Sequence, residues 1–278
     1  MTEELAATFR RSARQGEERL GRSWPSLFAT GAVGGIDVGI GVFALLLVEH
    51  ATGSTLLGAL AFGIGFIALT LANSELFTEN FLVPVAAVAA GRARPSAVVR
   101  LWIGTGLTNL AGGWLIMAIV MSAVPKLEPT ALKLAAHYTE PGLGWESFAA
   151  SILGGAIITL MTWMEQGTDS TPARLVAAIS AAFLLAAGSL FHAIVVSLVM
   201  FAALQTGAPF GYLDWLGVLA WATIGNLVGG LGLITTLRLV QVGKGQLDEE
   251  RSGVRQRVAG SGRLESADTR PAGGDTTR

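Results

Sequence analysis

Long apolar runs, closed by short charged or turn-forming clusters, divide the chain into segments of membrane length. A hydrocarbon core about 30 Å thick takes roughly 20 apolar residues per helix. Residues 26–49 supply the first segment, interrupted once by Asp37, and residues 51–74 supply the second. The second run then meets the polar string Glu75-Leu76-Phe77-Thr78-Glu79-Asn80, and apolar sequence resumes at Phe81 only as far as Gly91-Arg92. This pattern predicts two half-helices around a polar loop. Residues 101–124 form a third segment, ended by Pro125-Lys126, and residues 144–164 form a fourth. Between Leu175 and Leu213 the ionisable side chains are His192 and Tyr212 alone. At about 1.5 Å per residue this stretch is twice too long for one crossing. A break is therefore predicted at Gly188-Ser189, just ahead of His192. Residues 215–240 complete six crossings.

The two halves repeat. Asn109-Leu110-Ala111-Gly112-Gly113 in the third segment is matched by Asn226-Leu227-Val228-Gly229-Gly230 in the sixth, and Leu76-Phe77-Thr78 is matched by Leu190-Phe191-His192. With three crossings per half, the second half enters the membrane from the opposite side, giving an inverted repeat whose breaks meet near the midplane. Aligned this way, Thr78 and His192 are equivalent positions. A break exposes backbone groups that lipid cannot satisfy, so protein or water must surround it. Asn109 and Asn226 have two open readings here: as bridges to those freed backbone groups, or as polar groups facing a solute path.

Outside the spans the pattern changes. Residues 1–24 place Leu5, Phe9 and Leu20 at helical spacing among Arg10, Arg11, Arg14, Arg19, Arg22 and four glutamates, which predicts an amphipathic helix on the membrane surface. Residues 25–242 form the transmembrane domain. Residues 243–278 are rich in Gly, Ser, Thr, Arg and acids, and a disordered tail is expected. Of the 19 basic residues, only Lys126 and Lys133 fall opposite the termini, so both ends are expected to be cytoplasmic in a cell-membrane protein.

Composition agrees. The chain is 51% hydrophobic and 14% charged, with a mean hydropathy of +0.56, which is membrane-protein territory. A net charge of -1 gives no reason to expect nucleic acid, and there are no cysteines. No metal-ligand cluster or nucleotide-binding loop appears, so neither a cofactor nor an enzyme is expected. The chemistry is concentrated in His192, the one histidine deep in apolar sequence and a side chain whose proton moves near neutral pH. Asp37, Glu75 and Glu79 add carboxylates at membrane depth, which are functional candidates by their cost. Ionised and unpaired in a pore, they would repel anions.

Six spans in two inverted halves, Glu75-Leu76-Phe77-Thr78 interrupting helix two, a lone histidine interrupting helix five, and Asn226-Leu227-Val228-Gly229-Gly230 in the last span together resemble the formate/nitrite transporter family over residues 24–242. The Leu-Phe-Thr-Glu-Asn string is similar to its YfdC-like branch. The resemblance implies an all-α, aquaporin-like protomer of six transmembrane helices with helices two and five broken, assembled as a homopentamer with one pore per subunit in the lipid bilayer. It implies conduction of a small monovalent anion such as formate, nitrite or hydrosulfide, often with a proton. By the same resemblance Leu76, Phe77 and Thr78 face His192, while Phe62, Phe66, Leu185 and Phe191 belong to loops and apolar constrictions. Periodicity alone says only that Phe62 and Phe66 share a helix face. The sequence departs from the family pattern at Phe191 (an acid in typical members), Ala193 (a serine), Val196 (an asparagine) and Gly155 (a pore-facing asparagine). Thr139 stands where a vestibule lysine is usual, and Lys133 is the candidate replacement. Two other readings stay open: a cation or neutral-solute pore using Asp37 and Glu79, and a non-conducting scaffold.

Overall fold

A computed structural model describes residues 3–268. The described chain is all α. Its long apolar helices are α2 (Trp24–Thr52), α3 (Thr55–Ala72), α5 (Pro95–Ala123), α7 (Trp145–Gln166) and the run Tyr212–Val242, and each is long and apolar enough to cross a membrane. Shorter apolar helices are α4 (Val83–Ala89), which follows a 3-10 turn at Phe77–Phe81, then α8 (Thr171–Ala187) and α9 (Ala193–Leu204). The helix α6 (Glu128–Thr139) lies in the connection between α5 and α7. The run Tyr212–Val242 comprises α10 (Tyr212–Leu227), a π-helical stretch over Val228–Thr235 and α11 (Thr236–Val242). Within that stretch the Thr235 hydroxyl donates to the Phe81 carbonyl at 3.0 Å, tying the last long helix to the loop of the first half.

Local sequence explains the boundaries. Proline occupies the first turn of α2, α4, α5 and α8, where its missing N–H costs nothing and its fixed φ favours entry. Both expected breaks are present, and each follows a residue in the left-handed region: Asn73 (φ 54°) after α3 and Ser189 (φ 46°) after α8. L-residues enter this region rarely, asparagine more easily than most. The chain therefore leaves each helix sharply and stays non-helical through residues 73–76 and 188–192.

Two expectations about the ends are corrected. The first helix, α1 (Glu3–Leu20), is amphipathic as predicted, but its apolar stripe is buried against protein rather than laid on lipid. Phe9 and Ala13 pack with Leu82, Ala86 and Trp163, and Gly16 sits so close to the Val83 carbonyl that a Cβ there would overlap it. Burying this stripe against α4 removes apolar area from water at roughly 25 cal/mol per Å². The second correction concerns the tail: α12 (Lys244–Asp268) is helical where disorder was expected, and residues 269–278 lie outside the described residues. A single arginine joins the two ends. Arg92, between α4 and α5, donates to Glu17 of α1 at 3.2 Å and to Glu250 of α12 at 3.0 Å, while Arg251 Nε donates to the Ala89 carbonyl.

Candidate functional site

The two asparagines of the repeated string hold the two breaks in the same way. Asn109 Nδ2 donates to the carbonyls of Gly31 and Glu75, at 2.7 and 2.9 Å, and its Oδ1 accepts from the Phe77 N–H at 2.8 Å. Asn226 Nδ2 donates to the carbonyls of Ser151 and Phe191, at 2.7 and 2.8 Å, and its Oδ1 accepts from the Ala193 N–H at 2.9 Å. Both side chains are fully buried. Of the two readings left open by sequence, this geometry favours the bridge: each amide joins the freed N–H and C=O of one break to a carbonyl inside a neighbouring long helix, Gly31 of α2 or Ser151 of α7.

The clamps also correct the register of the repeat. Glu75 corresponds to Phe191 and Phe77 to Ala193, so His192 is equivalent to Leu76 rather than to Thr78. The left-handed residues agree, since Asn73 and Ser189 each stand two positions before the clamped carbonyl. The shared Leu-Phe string had suggested a register two residues away. That match is coincidental, because those side chains do not occupy equivalent places.

His192 caps α9: its Nδ1 accepts from the Val195 N–H at 3.3 Å. Its Nε2 lies 2.6 Å from Thr78 Oγ1. With Nδ1 an acceptor, the neutral ring carries its proton on Nε2 and donates it to Thr78, leaving the threonine hydroxyl free to donate onward. Both residues are fully buried. The contact joins the two breaks, because Thr78 comes from the first half and His192 from the second. Phe62, Phe66, Leu76, Leu185 and Phe191 belong to one continuous core, against which Phe77 packs half-buried. Phe62 and Phe66 stack edge-on with centroids 5.5 Å apart, and Phe191 meets Tyr138 of α6 edge-on at 5.2 Å.

The carboxylates of the first break are paired, which sequence reasoning missed. Arg19 of α1 reaches Glu75 at 3.0 Å, Glu79 at 3.4 Å and the Asn80 side-chain oxygen at 2.8 Å. Arg22 also donates to Glu75. The signal was present: Arg19 lies ten residues after Phe9 and three after Gly16, on the helix's buried stripe, where a charge needs a partner. Asp37 is separate from this network. It is half-buried on α2 and accepts from the Ser74 hydroxyl at 2.5 Å.

Lys133 is not a free cation. Its ammonium lies 2.9 Å from the buried Glu49 carboxylate on α2. Lys133→Gln is expected to lower stability by about 1–3 kcal/mol, because the buried Glu49 carboxylate loses its cation and keeps only the Thr55 hydroxyl at 3.5 Å, and to leave anion uptake close to wild type. Thermal midpoints and uptake rates measured side by side check this, and a large loss of uptake at unchanged stability would instead support the vestibule role. Gly155 is likewise no vacant pore position, because a Cβ there would overlap the backbone of Asn226.

Comparisons with known proteins bear on this site. The family model described as Formate/nitrite transporter matches residues 6–240. The inner membrane protein YfdC of Escherichia coli K12 is 26% identical over 257 residues, covering 88% of this chain and 81% of that protein. The formate channel FocA of Haemophilus influenzae is 33% identical over 116 residues, 40% of each chain. Among solved structures, an FNT family ion channel superposes with a TM-score of 0.72 at 19% identity, covering 84% of this chain and 98% of that one. A pentameric formate channel with formate bound gives 0.68 at 20% identity, covering 80% and 98%. These structural likenesses establish the fold, and the family match extends over both breaks and both asparagine clamps. This multi-pass membrane protein belongs to the formate/nitrite transporter family, a family of channels and transporters rather than enzymes.

Proposed function

We propose that the protein is a pore for a small monovalent weak-acid anion of the formate or nitrite kind, with His192 exchanging a proton with the anion. In this reading α2, α3 with α4, α5, α7, α8 with α9, and the run from α10 to α11 make six crossings in two inverted halves. Both ends of the chain face the cytoplasm, and five copies assemble with one pore each. The formate channels among the similar proteins support the solute class and the ring.

The observation that carries the reading is the contact of Thr78 with His192. It is a polar pair from the two non-helical breaks, set in a region otherwise closed by aromatic and aliphatic side chains. An anion entering such a dry region loses its hydration at high cost. A proton taken up with it removes the charge, and imidazole is the side chain suited to that exchange near neutral pH. The Thr78 hydroxyl, accepting from Nε2 and donating onward, extends the proton path by one group.

Reconstituted protein is expected to take up formate or nitrite faster as external pH falls. His192→Ala is expected to reduce uptake at least tenfold and to flatten its pH profile, while Thr78→Ser keeps both. Absence of pH-dependent flux for every anion tested would overturn the reading in favour of a pore held shut, with the protein acting through its terminal helices. Of the two carboxylates on which a cation or neutral-solute pore would rest, Glu79 is paired with a guanidinium and Asp37 accepts from the Ser74 hydroxyl, which supports that reading less than the anion pore.

A further inference from the structure

On the side of the molecule that carries both termini, a cavity of about 170 Å³ is lined by Arg19, Arg22, Ser74, Glu75, Glu79 and Glu165, among others. Two of its lining residues, Glu75 and Glu79, flank Thr78 in the loop that meets His192. Two carboxylates at that place present a difficulty for any pore that passes anions. Each is buried, and an ionised carboxylate in a low-dielectric wall repels a like charge strongly. The chain places the compensating charge outside the transmembrane domain. Gly16 presses α1 onto α4 at the Val83 carbonyl, and this close approach puts Arg19, three residues later, against the loop.

All three guanidinium nitrogens of Arg19 are used, Nε on Glu75, Nη2 on Glu79 and Nη1 on Asn80. Burial opposes the charge of Arg19 more than any single neighbour supports it, but Glu75, Glu79 and Glu165 together outweigh burial, and its pKa is raised above the ordinary arginine value. Arg22 supplies a second positive charge on Glu75. The loop and the two arginines together are therefore electrically neutral, with the positive half carried by the peripheral helix and the segment just after it.

We propose that Arg19 is a selectivity determinant: a counter-ion delivered by the N-terminal helix that cancels the loop carboxylates Glu75 and Glu79 and so keeps the mouth of the path open to anions. This rests on the anion-pore reading above. The cation-repelling or anion-repelling character of the path would then be set by α1, a helix that crosses nothing.

The test is the initial rate of formate or nitrite uptake set against that of potassium in the same proteoliposomes, a ratio independent of the number of active pores and readable whether or not a proton accompanies the anion. Wild type is expected to favour the anion. Arg19→Gln is expected to lower the ratio at least tenfold, and Arg19→Gln with Glu79→Gln to recover most of it. Glu79→Gln alone, which leaves Arg19 paired with Glu75, is expected to raise the ratio, so the idea stays testable if Arg19→Gln fails to assemble. A wild-type ratio preserved in Arg19→Gln, or in Glu79→Gln where only that variant assembles, overturns the inference and leaves the anion pore standing. A wild type that passes no anion overturns the anion-pore reading itself and the inference with it.

Discussion

Asn226→Ala is expected to lose at least about 2 kcal/mol of stability, or to fail to assemble, with Asn109→Ala close behind. The substitution strands two buried backbone groups at once, the carbonyl of Phe191 and the N–H of Ala193, and removes a second donor from the carbonyl of Ser151, which lies within α7. Each buried, unmatched polar group costs roughly 1–3 kcal/mol, and the surrounding lipid offers no replacement partner. Other helix-to-helix hydrogen bonds in membranes are weaker, averaging about 0.6 kcal/mol, because the separated helices find alternative partners. The breaks are a different case, since their backbone groups have no helix to return to. Asn226→Asp discriminates further: it keeps the acceptor for Ala193 but loses both donors, and it should destabilise nearly as much as alanine. Thermal unfolding in detergent measures this directly. A melting midpoint in Asn226→Ala within a degree or two of wild type would sink the clamp.

Gly155→Leu is expected to be almost as damaging, and for a different reason. The Cα, carbonyl carbon and carbonyl oxygen of Asn226 occupy the space a Cβ would need. Overpacking a core commonly costs about 1–3 kcal/mol when side chains can move aside. Here the obstacle is backbone, so the two helices must separate and the Asn226 clamp shifts with them. Gly35 meets the Asn109 backbone in the same way. Gly217 on α10 is a fair control, since its nearest neighbour to a Cβ is the Leu143 side chain at 3.9 Å. Yields of assembled protein should fall steeply for Gly155→Leu and Gly35→Leu and little for Gly217→Ala. Equal yields for all three would show that close backbone approach does not matter here.

Much of the fold was legible because lipid imposes strong rules. Apolar runs of membrane length, and a run too long to cross unbroken, located the long helices and the break before His192. The polar string after Ser74 located the other. The repeat of Asn-Leu-x-Gly-Gly was legible as well, but its register was not. Register is fixed by backbone groups, the carbonyls of Glu75 and Phe191 and the left-handed Asn73 and Ser189, and none of these follows from residue identity. Leu-Phe occurring in both loops therefore misled the alignment by two positions. The pairing of Glu75 and Glu79 was hidden for another reason. Its partners, Arg19 and Arg22, lie more than fifty residues earlier, in a segment whose amphipathic pattern fits a lipid surface and a protein groove equally. A helix over Lys244–Asp268 was missed because its composition is polar and glycine-containing, with Leu247 packed against Val242 and its neighbours as a small apolar anchor.

Arg92 sets an order of events during synthesis. It binds Glu17 and Glu250 together, so one residue closes a ring between the first helix and the last. The first helix leaves the ribosome more than two hundred residues before its final partner. Until Glu250 emerges, Glu17 and Arg92 can meet only as an incomplete pair. The pairing that joins the two ends is thus completed only after the last long apolar helix has been made.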